Sequence, residues 1–384
     1  MKNYEIVIIG AGPAGSMAAQ AAAAAGKKTA LIERNEKPSM PVRCGEGIGR
    51  KGLATTLEPQ KQWIKSGITR ARMISPSGIK VEIGNVDQSW ILDRQTMDFD
   101  LVKQAVKAGA DFFPSTTIVS AQKKTNGLYH CIGQDKEFTA NCLILADGVE
   151  SRIARCFGWD TALKLSDIET CAFARVTSPL IDQECCSFYT GGQVAPGGYA
   201  WIFPRGGAQA NVGLGVIGSK CKAGLPKELL TRFIELRFPN SEVSHLHCGG
   251  VPVGRWIRPL VKEGVMLAGD AARQVNAING AGIAYSLYAG KLAGETAAKA
   301  LNKGTINHKI LLKYQKQWAK NFGKQQDRSF ALKEFIMNVG DGFLDRIANS
   351  LARENPEKIS YLRVFTRTFA TKPTLLLKAF KLFK

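Results

Sequence analysis

The sequence predicts an α/β protein built on a Rossmann-type dinucleotide-binding unit, with an antiparallel sheet inserted into it and a helical C-terminal region. Two glycine-rich turns predict the first part, because each follows a short β-rich run, one at Gly10–Gly15 and one at Gly269. Short alternating runs between these turns predict the inserted sheet. The length of 384 residues agrees with two or three domains and a large core.

The N-terminal segment has the order of elements that a dinucleotide-binding turn requires. Tyr4–Ile9 predicts a strand, and Met17–Ala25 predicts a helix of small residues closed by Gly26. Thr29–Ile32 predicts a second strand that ends at Glu33. Because strand, turn, helix, strand and terminal acid occur in this order, the turn is a far stronger indication than an isolated glycine pattern.

Each glycine of the first turn has a physical role. Gly10 allows the tight turn, Gly12 lets the backbone approach a pyrophosphate, and Gly15 lets the helix pack against the sheet. The helix N-terminus then directs unpaired N–H groups at the phosphates. Glu33 stands where an acid binds a ribose 2′-hydroxyl, which disfavours NADP. The predicted nucleotide contacts here are Gly10, Gly12, Ala14, Gly15, Glu33 and Arg34.

The second turn lies near the other end of the chain. Gly264–Ala268 predicts a buried strand, Gly269 and Asp270 follow it, and Asn279–Ile283 opens a helix of small residues to about Leu301. An acid at a strand end followed by a glycine-rich helix start is a second place to bind a nucleotide. The first turn alone leaves NAD and FAD open, but two such sites in one chain favour one long ligand such as FAD.

The pattern between the two turns changes to short alternating runs separated by glycines. These runs occupy Ile68–Ile91 and Asp167–Val216, and we predict that they form the antiparallel sheet of a substrate domain. Phe99–Gly109 predicts a helix and Leu143–Ala146 a buried strand. The predicted boundaries are residues 1–65, 93–163 and 258–304 for the nucleotide-binding domain, 66–92 and 164–257 for the substrate domain, and 305–384 for the basic C-terminal region.

Two segments are candidates for the reaction chemistry. Tyr199, Trp201 and Phe203 alternate and end at Pro204, so on a strand the three rings share one face and suit either a cavity wall or plain sheet core. Cys44 follows a cation, Arg43, which favours its thiolate form, although a passive buried cysteine is the alternative. The nine cysteines contain no C-x-x-C pair, so we expect reduced thiols and no metal or iron–sulfur site.

Five stretches in this order resemble the geranylgeranyl reductase family of FAD-dependent oxidoreductases, and most closely the archaeal type that saturates digeranylgeranylglycerophospholipids. The glycine and Gly-Asp motifs are shared with the wider hydroxylase-like flavoproteins, whereas the cysteine loop and the aromatic stretch are more particular. The stretches are Gly10–Gly15, Pro41–Gly47, Ala146–Gly148, Pro196–Pro204 and Gly269–Arg273.

The resemblance implies a hydroxylase-like flavoprotein fold and roles for single residues. Arg94 would hold the FAD pyrophosphate, Asp270 the ribityl–phosphate part, and the amides near Gly280 and Gly282 would face the isoalloxazine ring. Family members commonly have three consecutive glycines there, whereas this chain has Ala281, whose methyl group fits if its φ is negative. The resemblance also places these residues at the cofactor: Arg43, Cys44, Gly45, Asp147, Gly269, Ala281 and Ile283.

The implied reaction is the reduction of isoprenoid double bonds in a membrane lipid or a prenyl precursor. Reduced flavin gives a hydride to one alkene carbon and a proton reaches the other, while alignment and exclusion of water supply much of the catalysis. Cys44 would tune this step or supply the proton, and Tyr199, Trp201, Phe203 and Pro204 would contact the prenyl chain. A flavin monooxygenase or halogenase and a membrane-docked electron carrier are the alternatives. The electron donor is left open between ferredoxin, NAD(P)H and a deazaflavin.

The charge distribution suggests a further partner. The chain has a formal net charge of +20, and residues 301–384 hold 17 Lys/Arg against six Asp/Glu. Thr374–Lys384 is apolar and basic, which suits either an anionic bilayer, at about 1 kcal/mol per cation, or a cap packed on the protein. Nucleic acid is not expected, because no recognition motif accompanies the charge. Without a run of 18 apolar residues, we expect a cytoplasmic protein associated peripherally with a membrane.

Overall fold

A computed structural model describes residues 1–84, 89–301, 306–356 and 359. These residues form three sheets, and the strands pair as the two predicted regions require. The strands are β1 (Lys2–Ile9), β2 (Thr29–Ile32), β3 (Gly47–Gly49), β4 (Ile64–Ile68), β5 (Arg70–Ile74), β6 (Lys80–Ile83), β7 (Ser89–Leu92), β8 (Asp111–Phe113), β9 (Ile118–Lys123), β10 (Tyr129–Gly133), β11 (Glu137–Leu145), β12 (Ile168–Thr177), β13 (Cys185–Thr190), β14 (Tyr199–Gly206), β15 (Gln209–Ile217), β16 (Glu242–Pro252), β17 (Val261–Lys262) and β18 (Val265–Leu267).

The helices of the described residues cover the sheets and extend beyond them towards the C-terminus. A π-helical turn at Ala319–Gly323 connects two of them. The α-helices are α1 (Pro13–Ala24), α2 (Arg50–Ala54), α3 (Arg94–Lys107), α4 (Leu225–Arg237), α5 (Ile283–Leu301), α6 (His308–Trp318), α7 (Lys324–Ile336) and α8 (Asp341–Leu351). None of the helices in the part of the chain described here is both long and apolar enough to cross a bilayer.

The first sheet has the parallel core expected of a dinucleotide-binding fold. Its strand order is β17-β18-β11-β1-β2-β8, and β10 and β9 extend it from β11. β1 pairs in parallel with both β2 and β11. Because helices cover both faces of such a sheet, its strands are continuous apolar runs, and all four residues of β2 are buried.

In the nucleotide-binding part of the chain, the second strand is predicted correctly, whereas the predicted starts of α1 and α3 lie several residues after the observed ones. Thr29–Ile32 is confirmed residue for residue. α1 begins at Pro13 rather than at Met17, because proline supplies the φ of a first helical turn and needs no N–H partner there. α3 begins at Arg94 rather than at Phe99, since the Asp93 side chain caps it by accepting from the Thr96 N–H at 3.1 Å.

The second sheet is antiparallel, as predicted, except at one pair of strands. Its order is β16-β12-β15-β14-β13-β5-β6, and β13 and β5 run parallel. Only strands joined by a short hairpin must be antiparallel, and more than 100 residues separate β5 from β13. The predicted segment Ile68–Ile91 also divides, because β4 and β7 pair with β3 in a separate three-stranded sheet.

The two faces of the second sheet differ as the alternation of β14 predicts. Ala200 and Ile202 belong to the core that packs beneath α4, with Leu230 and Phe233 on the helix side. Trp201 and its neighbouring rings lie on the opposite face. On that opposite face β15 carries Gly213 and Gly215, which leave space for the Trp201 and Glu169 side chains beside a cavity.

Two glycines allow α5 to pack in direct backbone contact with α1. A Cβ atom added to Gly290 would lie 2.0 Å from the Ala14 carbonyl oxygen, and one added to Gly294 would lie 2.2 Å from that of Ala18. Both distances are far below any real contact, so the two helices can be this close only if these positions carry no side chain. This contact joins the two segments that hold the predicted nucleotide turns.

Gly294→Ala therefore tests the helix contact. We expect it to lower the free energy of unfolding by about 2–3 kcal/mol, because the added methyl group forces the helices apart. Alanine is the better helix former, so local propensity would give the opposite sign. Urea denaturation measures the effect.

The matched control is Gly67→Ala, because an added Cβ at Gly67 on β4 meets no atom within 4 Å. Equal stabilities of the two variants would show that the close contact between α1 and α5 does not limit stability.

Candidate active site

One cavity of about 780 Å³ brings together segments from both ends of the chain. The turn before α1 and the segment around Asp270 form one side, and the face of the second sheet forms another. The loop that carries Cys44 lies between them. The predicted residues on its wall are Gly12, Ala14, Arg43, Cys44, Gly45, Arg94, Tyr199, Trp201, Phe203, Gly269, Asp270, Gly280, Ala281, Gly282 and Ile283.

The first turn has the shape that a pyrophosphate needs. Gly10 has φ +100°, and a Cβ there would lie 2.3 Å from the Ala146 carbonyl oxygen. Gly15 packs against the carbonyl of Gly10 so closely that a Cβ would lie 1.7 Å from its oxygen. Gly12, in contrast, faces open space, and no side chain caps the N-terminus of α1. The first N–H groups of α1 are therefore available to a phosphate, which fits the FAD diphosphate.

Glu33 stabilises this turn through hydrogen bonds to its backbone. Its buried carboxylate accepts hydrogen bonds from the backbone N–H groups of Ala11 at 2.9 Å and of Asn35 at 3.0 Å. The neighbouring Arg34 points outward and pairs with Glu150 at 3.3 Å. Neither residue lines the cavity, so contact of Glu33 with a ribose stays a prediction, and Arg34 is placed on the surface.

Asp147 and Pro204 also lie behind the cavity wall. The Asp147 carboxylate accepts from the Ile153 N–H at 3.2 Å through one oxygen, and the other is buried without a partner among the described residues. Burial raises the pKa of Asp147 to about 6. Pro204 is buried in β14 beside Ala210 and does not reach the cavity.

The Cys44 thiol lines the cavity, but its predicted activation by Arg43 is wrong. Enclosure by the protein raises the pKa of Cys44, so the neutral thiol is favoured over the thiolate. The cation that partly offsets this effect is Arg94, which comes from α3. The stem of Arg43 instead packs beside Gly249. Sequence adjacency was misleading, since consecutive residues in a loop point in different directions.

Arg94 is held rigidly where it lines the cavity. Its guanidinium forms a two-pronged pair with Asp98, with Nε–Oδ1 at 2.9 Å and Nη2–Oδ2 at 2.7 Å, and Asp98 is fully buried. Burial opposes the charge, but the Asp98 carboxylate raises the pKa of Arg94 overall. Arg94 also opposes the rise in pKa that burial causes at Asp270. The arginine is therefore a permanent, oriented cation, which suits the predicted contact with a diphosphate.

The second glycine-rich segment folds with one required glycine. Gly280 has φ +66°, whereas the φ of Ala281 is not positive, so the extra methyl group causes no backbone strain. A Cβ at Gly282 would lie 3.4 Å from Oδ1 of Asp270. The Asp270 carboxylate and the start of α5 thus line the same part of the cavity, and their contact with a flavin stays a prediction.

The aromatic residues of β14 form a continuous wall. The ring centroids of Tyr199 and Trp201 are 5.9 Å apart, and those of Trp201 and Phe203 are 6.1 Å apart. The Cys44 loop rests on this wall, because a Cβ at Gly45 or Gly47 would lie 3.1 Å from Phe203. These two glycines are therefore needed for packing, and the predicted shared face of the three rings is confirmed.

Sequence reasoning missed the residue that anchors the Cys44 loop. The carboxylate of Glu46 accepts from the Arg94 N–H at 2.9 Å and from the Asn211 side-chain amide at 2.6 Å, and it forms a buried ion pair with Arg205. It joins α3, β14 and β15, and only 4% of Glu46 is exposed. The available signals were an acid between two glycines and an asparagine inside an apolar strand.

Comparison with known proteins supports the class of enzyme that this cavity indicates. Residues 4–179 match the family model described as pyridine nucleotide-disulphide oxidoreductase. The flavin-dependent brominase Bmp2 has the same fold, with a TM-score of 0.68 over 99% of this chain and 93% of that one, at only 17% identity. The fold and the cavity define an FAD-dependent oxidoreductase.

More similar proteins identify the family. Residues 167–251 match the model of the geranylgeranyl reductase catalytic domain. Digeranylgeranylglycerophospholipid reductase of Methanothrix thermoacetophila is 40% identical over 376 residues, 94% of this chain and 96% of that protein. A geranylgeranyl bacteriochlorophyll reductase-like protein of Thermoplasma acidophilum superposes with a TM-score of 0.92, 28% identity and complete coverage of both chains. The chain belongs to the geranylgeranyl reductase family.

Glu46→Gln tests the anchor of the Cys44 loop. The amide keeps the shape of the side chain but removes the charge that Arg205 needs, and breaking a buried pair costs about 3–5 kcal/mol. We therefore expect a loss of this size in the free energy of unfolding, measured by urea denaturation.

Glu150→Gln is the control, because Glu150 pairs with Arg34 and Arg152 at 3.3 Å on the surface. Its loss should cost no more than about 1 kcal/mol. If the two variants lose equal stability, Glu46 does not act as a buried anchor.

Proposed function

We propose that this enzyme saturates geranylgeranyl double bonds of an archaeal-type membrane lipid, such as a digeranylgeranylglycerophospholipid. The observation that carries the proposal is the aromatic wall of β14, which faces the FAD-binding segments across a single cavity. A long isoprenoid chain needs an apolar surface beside the flavin, and the family match covers this part of the chain. The name of the Methanothrix relative supports the lipid class.

The residues around the cavity would divide the task between cofactor and substrate. Reduced FAD, when bound, supplies the hydride. The amides of Gly12 and Ala14 and the guanidinium of Arg94 would hold its diphosphate, while Asp270 and the start of α5 would hold the part nearer the flavin ring. Tyr199, Trp201 and Phe203 would align the prenyl chain and exclude water from it, which an unactivated double bond requires.

Cys44 would act beside the flavin as a neutral thiol. Its raised pKa leaves it protonated near neutral pH, so it can donate a hydrogen bond but is not a ready nucleophile. We propose that it adjusts the position or the reactivity of the cofactor, and that it does not form a covalent intermediate.

Lipid mass spectrometry tests the function directly. Anaerobic enzyme reduced with dithionite should convert geranylgeranyl lipid to products that are heavier by about 2 Da per saturated bond, since each bond gains two hydrogens. A hydroxylated product that requires oxygen would instead indicate a monooxygenase. Rapid electron transfer to quinone without a saturated product would indicate an electron carrier.

Cys44→Ala tests the role of the thiol in the same assay. The variant should retain FAD and reduce the lipid more slowly, and unchanged turnover would make Cys44 structural.

The physiological partners form a separate part of the proposal. Ferredoxin, NAD(P)H and a deazaflavin are the candidate donors, and the rate of flavin reduction by each distinguishes them. We also propose that the enzyme binds an anionic membrane surface through its basic C-terminal region. Apart from Ile359, the segment after residue 356, which includes Thr374–Lys384, lies outside the described residues.

Deletion of residues 358–384 tests the membrane proposal. The segment carries seven Lys/Arg and no Asp/Glu, so its removal should abolish most of the salt-sensitive binding to vesicles of anionic phospholipid while FAD remains bound. Cosedimentation at low and high salt measures the effect. Binding that survives the deletion would show that the charge of this segment is only a solvated surface.

A further inference from the structure

Besides Asp270 and Glu46, a third acid faces the cavity. Glu169 lies on β12 and lines the cavity, and only 6% of the residue is exposed. Its carboxyl group makes no hydrogen bond to any residue in the described part of the chain. Glycines provide its space, because a Cβ added to Gly215 would lie 2.9 Å from its Oε2 and one added to Gly198 would lie 3.6 Å from its Oε1.

The surroundings of Glu169 favour the protonated acid. Burial raises its pKa to about 7, and among the described residues the cation that opposes the rise is Lys333 on α7. The ammonium group of Lys333 is paired with other groups. It contacts Asp167 at 3.2 Å and Glu334 at 2.9 Å, and it donates to the Ser166 carbonyl at 2.7 Å. From β12 itself the nearest titratable group is the buried thiol of Cys171, whose pKa burial also raises.

Glu169 is connected to the flavin end of the cavity along one wall. Cys171 follows two residues later on the same strand, so the two side chains share a face. A Cβ at Gly215 would touch both, at 2.9 Å from Glu169 Oε2 and 3.2 Å from Cys171 Sγ. Cys171 is in turn close enough to Cys44 for the Cys44 thiol to contribute to the raised pKa of Cys171. The wall thus runs from Glu169 past Cys171 to Cys44.

A structural role does not account for this acid. An unpartnered carboxyl group inside a protein costs stability, and no described residue of the neighbouring strands β15 and β16 donates a hydrogen bond to this one. Buried acids of this kind occur where a proton must be delivered at neutral pH. The reaction proposed above needs such a proton. Two other charged groups on the cavity wall form ion pairs, Glu46 with Arg205 and Arg94 with Asp98, and at Asp270 the nearby Arg94 opposes the protonation that burial favours.

We propose that Glu169 is the general acid of the reaction, a role that rests on the proposed function. The π bond of the alkene breaks as one carbon receives the hydride from reduced FAD and the other receives the proton of the Glu169 carboxyl group. The lipid gains two electrons and two hydrogens, FAD is left oxidised, and the Glu169 carboxylate regains its proton from water.

Glu169→Gln tests this role, because the amide has the same shape and cannot supply the proton. We expect oxidation of the reduced, FAD-loaded enzyme by geranylgeranyl lipid, followed in a single turnover, to slow about 10²–10⁴-fold. In the wild type the rate should fall tenfold per pH unit above about pH 7, since the acid form is required. Glu169→Asp should retain part of the rate with this pH dependence.

The second readout does not depend on turnover. The infrared carbonyl band of a protonated carboxylic acid should disappear from the wild type with a midpoint near pH 7, and Glu169→Gln should lack this transition. Glu235→Gln, at an exposed position on α4, is the matched control and should behave as wild type in both measurements. Equal FAD content and equal flavin absorption spectra would show that the variants are folded.

The outcomes separate the two proposals. A Glu169→Gln enzyme that keeps the wild-type rate and pH profile, or an infrared titration that the substitution leaves unchanged, overturns the role of Glu169 while wild-type reduction stands. If the wild-type enzyme leaves the lipid unreduced, the proposed function fails, and the role of Glu169 fails with it. Loss of the rate, its pH dependence and the infrared transition together supports the role.

Discussion

The buried carboxylate of Glu46 is the interaction on which the active site depends. It binds Arg205, Asn211 and the first N–H of α3 at once, so it joins the second sheet to the FAD-binding part of the chain. An isolated charge at this depth is costly, and each partner is satisfied only if the others stay in place. Glu46 has φ 68°, a left-handed backbone conformation that favours glycine. The hydrogen bonds and the ion pair of its carboxylate offset this local backbone strain.

Glycines shape the cavity as much as the side chains that line it. Gly213 and Gly215 on β15 make room for Trp201 and Glu169, and Gly45 lets the cysteine loop lie on the aromatic wall. Glycines also allow α5 to pack in backbone contact with α1. Because a protein interior is close-packed, positions without a Cβ atom are what leave space for the Trp201 ring and the Glu169 carboxyl group beside the cavity. The chain therefore uses glycine both for phosphate access and for substrate space.

The polar groups of the cavity are of two kinds, and the difference follows from their partners. Arg94 is saturated by Asp98 and stays charged, which suits a diphosphate. Burial favours the neutral form of Cys44, which Arg94 opposes only in part, and that of Glu169, whose carboxyl group makes no hydrogen bond within the described residues. The fixed charge of Arg94 thus lies at the cofactor side of the cavity, and Cys44 and Glu169 add no fixed charge to it. This arrangement suits a cavity that accepts both a dianionic cofactor and a hydrocarbon.

The sequence by itself determined the elements whose order and chemistry are local: the first turn with β1, α1 and β2, the second turn before α5, and the shared face of Tyr199, Trp201 and Phe203. Local periodicity and glycine spacing specify these, because neighbours along the chain make the contacts. The tertiary structure decided the rest. The parallel pairing of β13 with β5, the partnership of Cys44 with Arg94 rather than Arg43, and the burial of Glu46 and Glu169 all join residues far apart in the chain. The free energies of these interactions depend on which groups, distant in sequence, are buried together in a region of low dielectric constant. Residue spacing along the sequence does not indicate which groups these are.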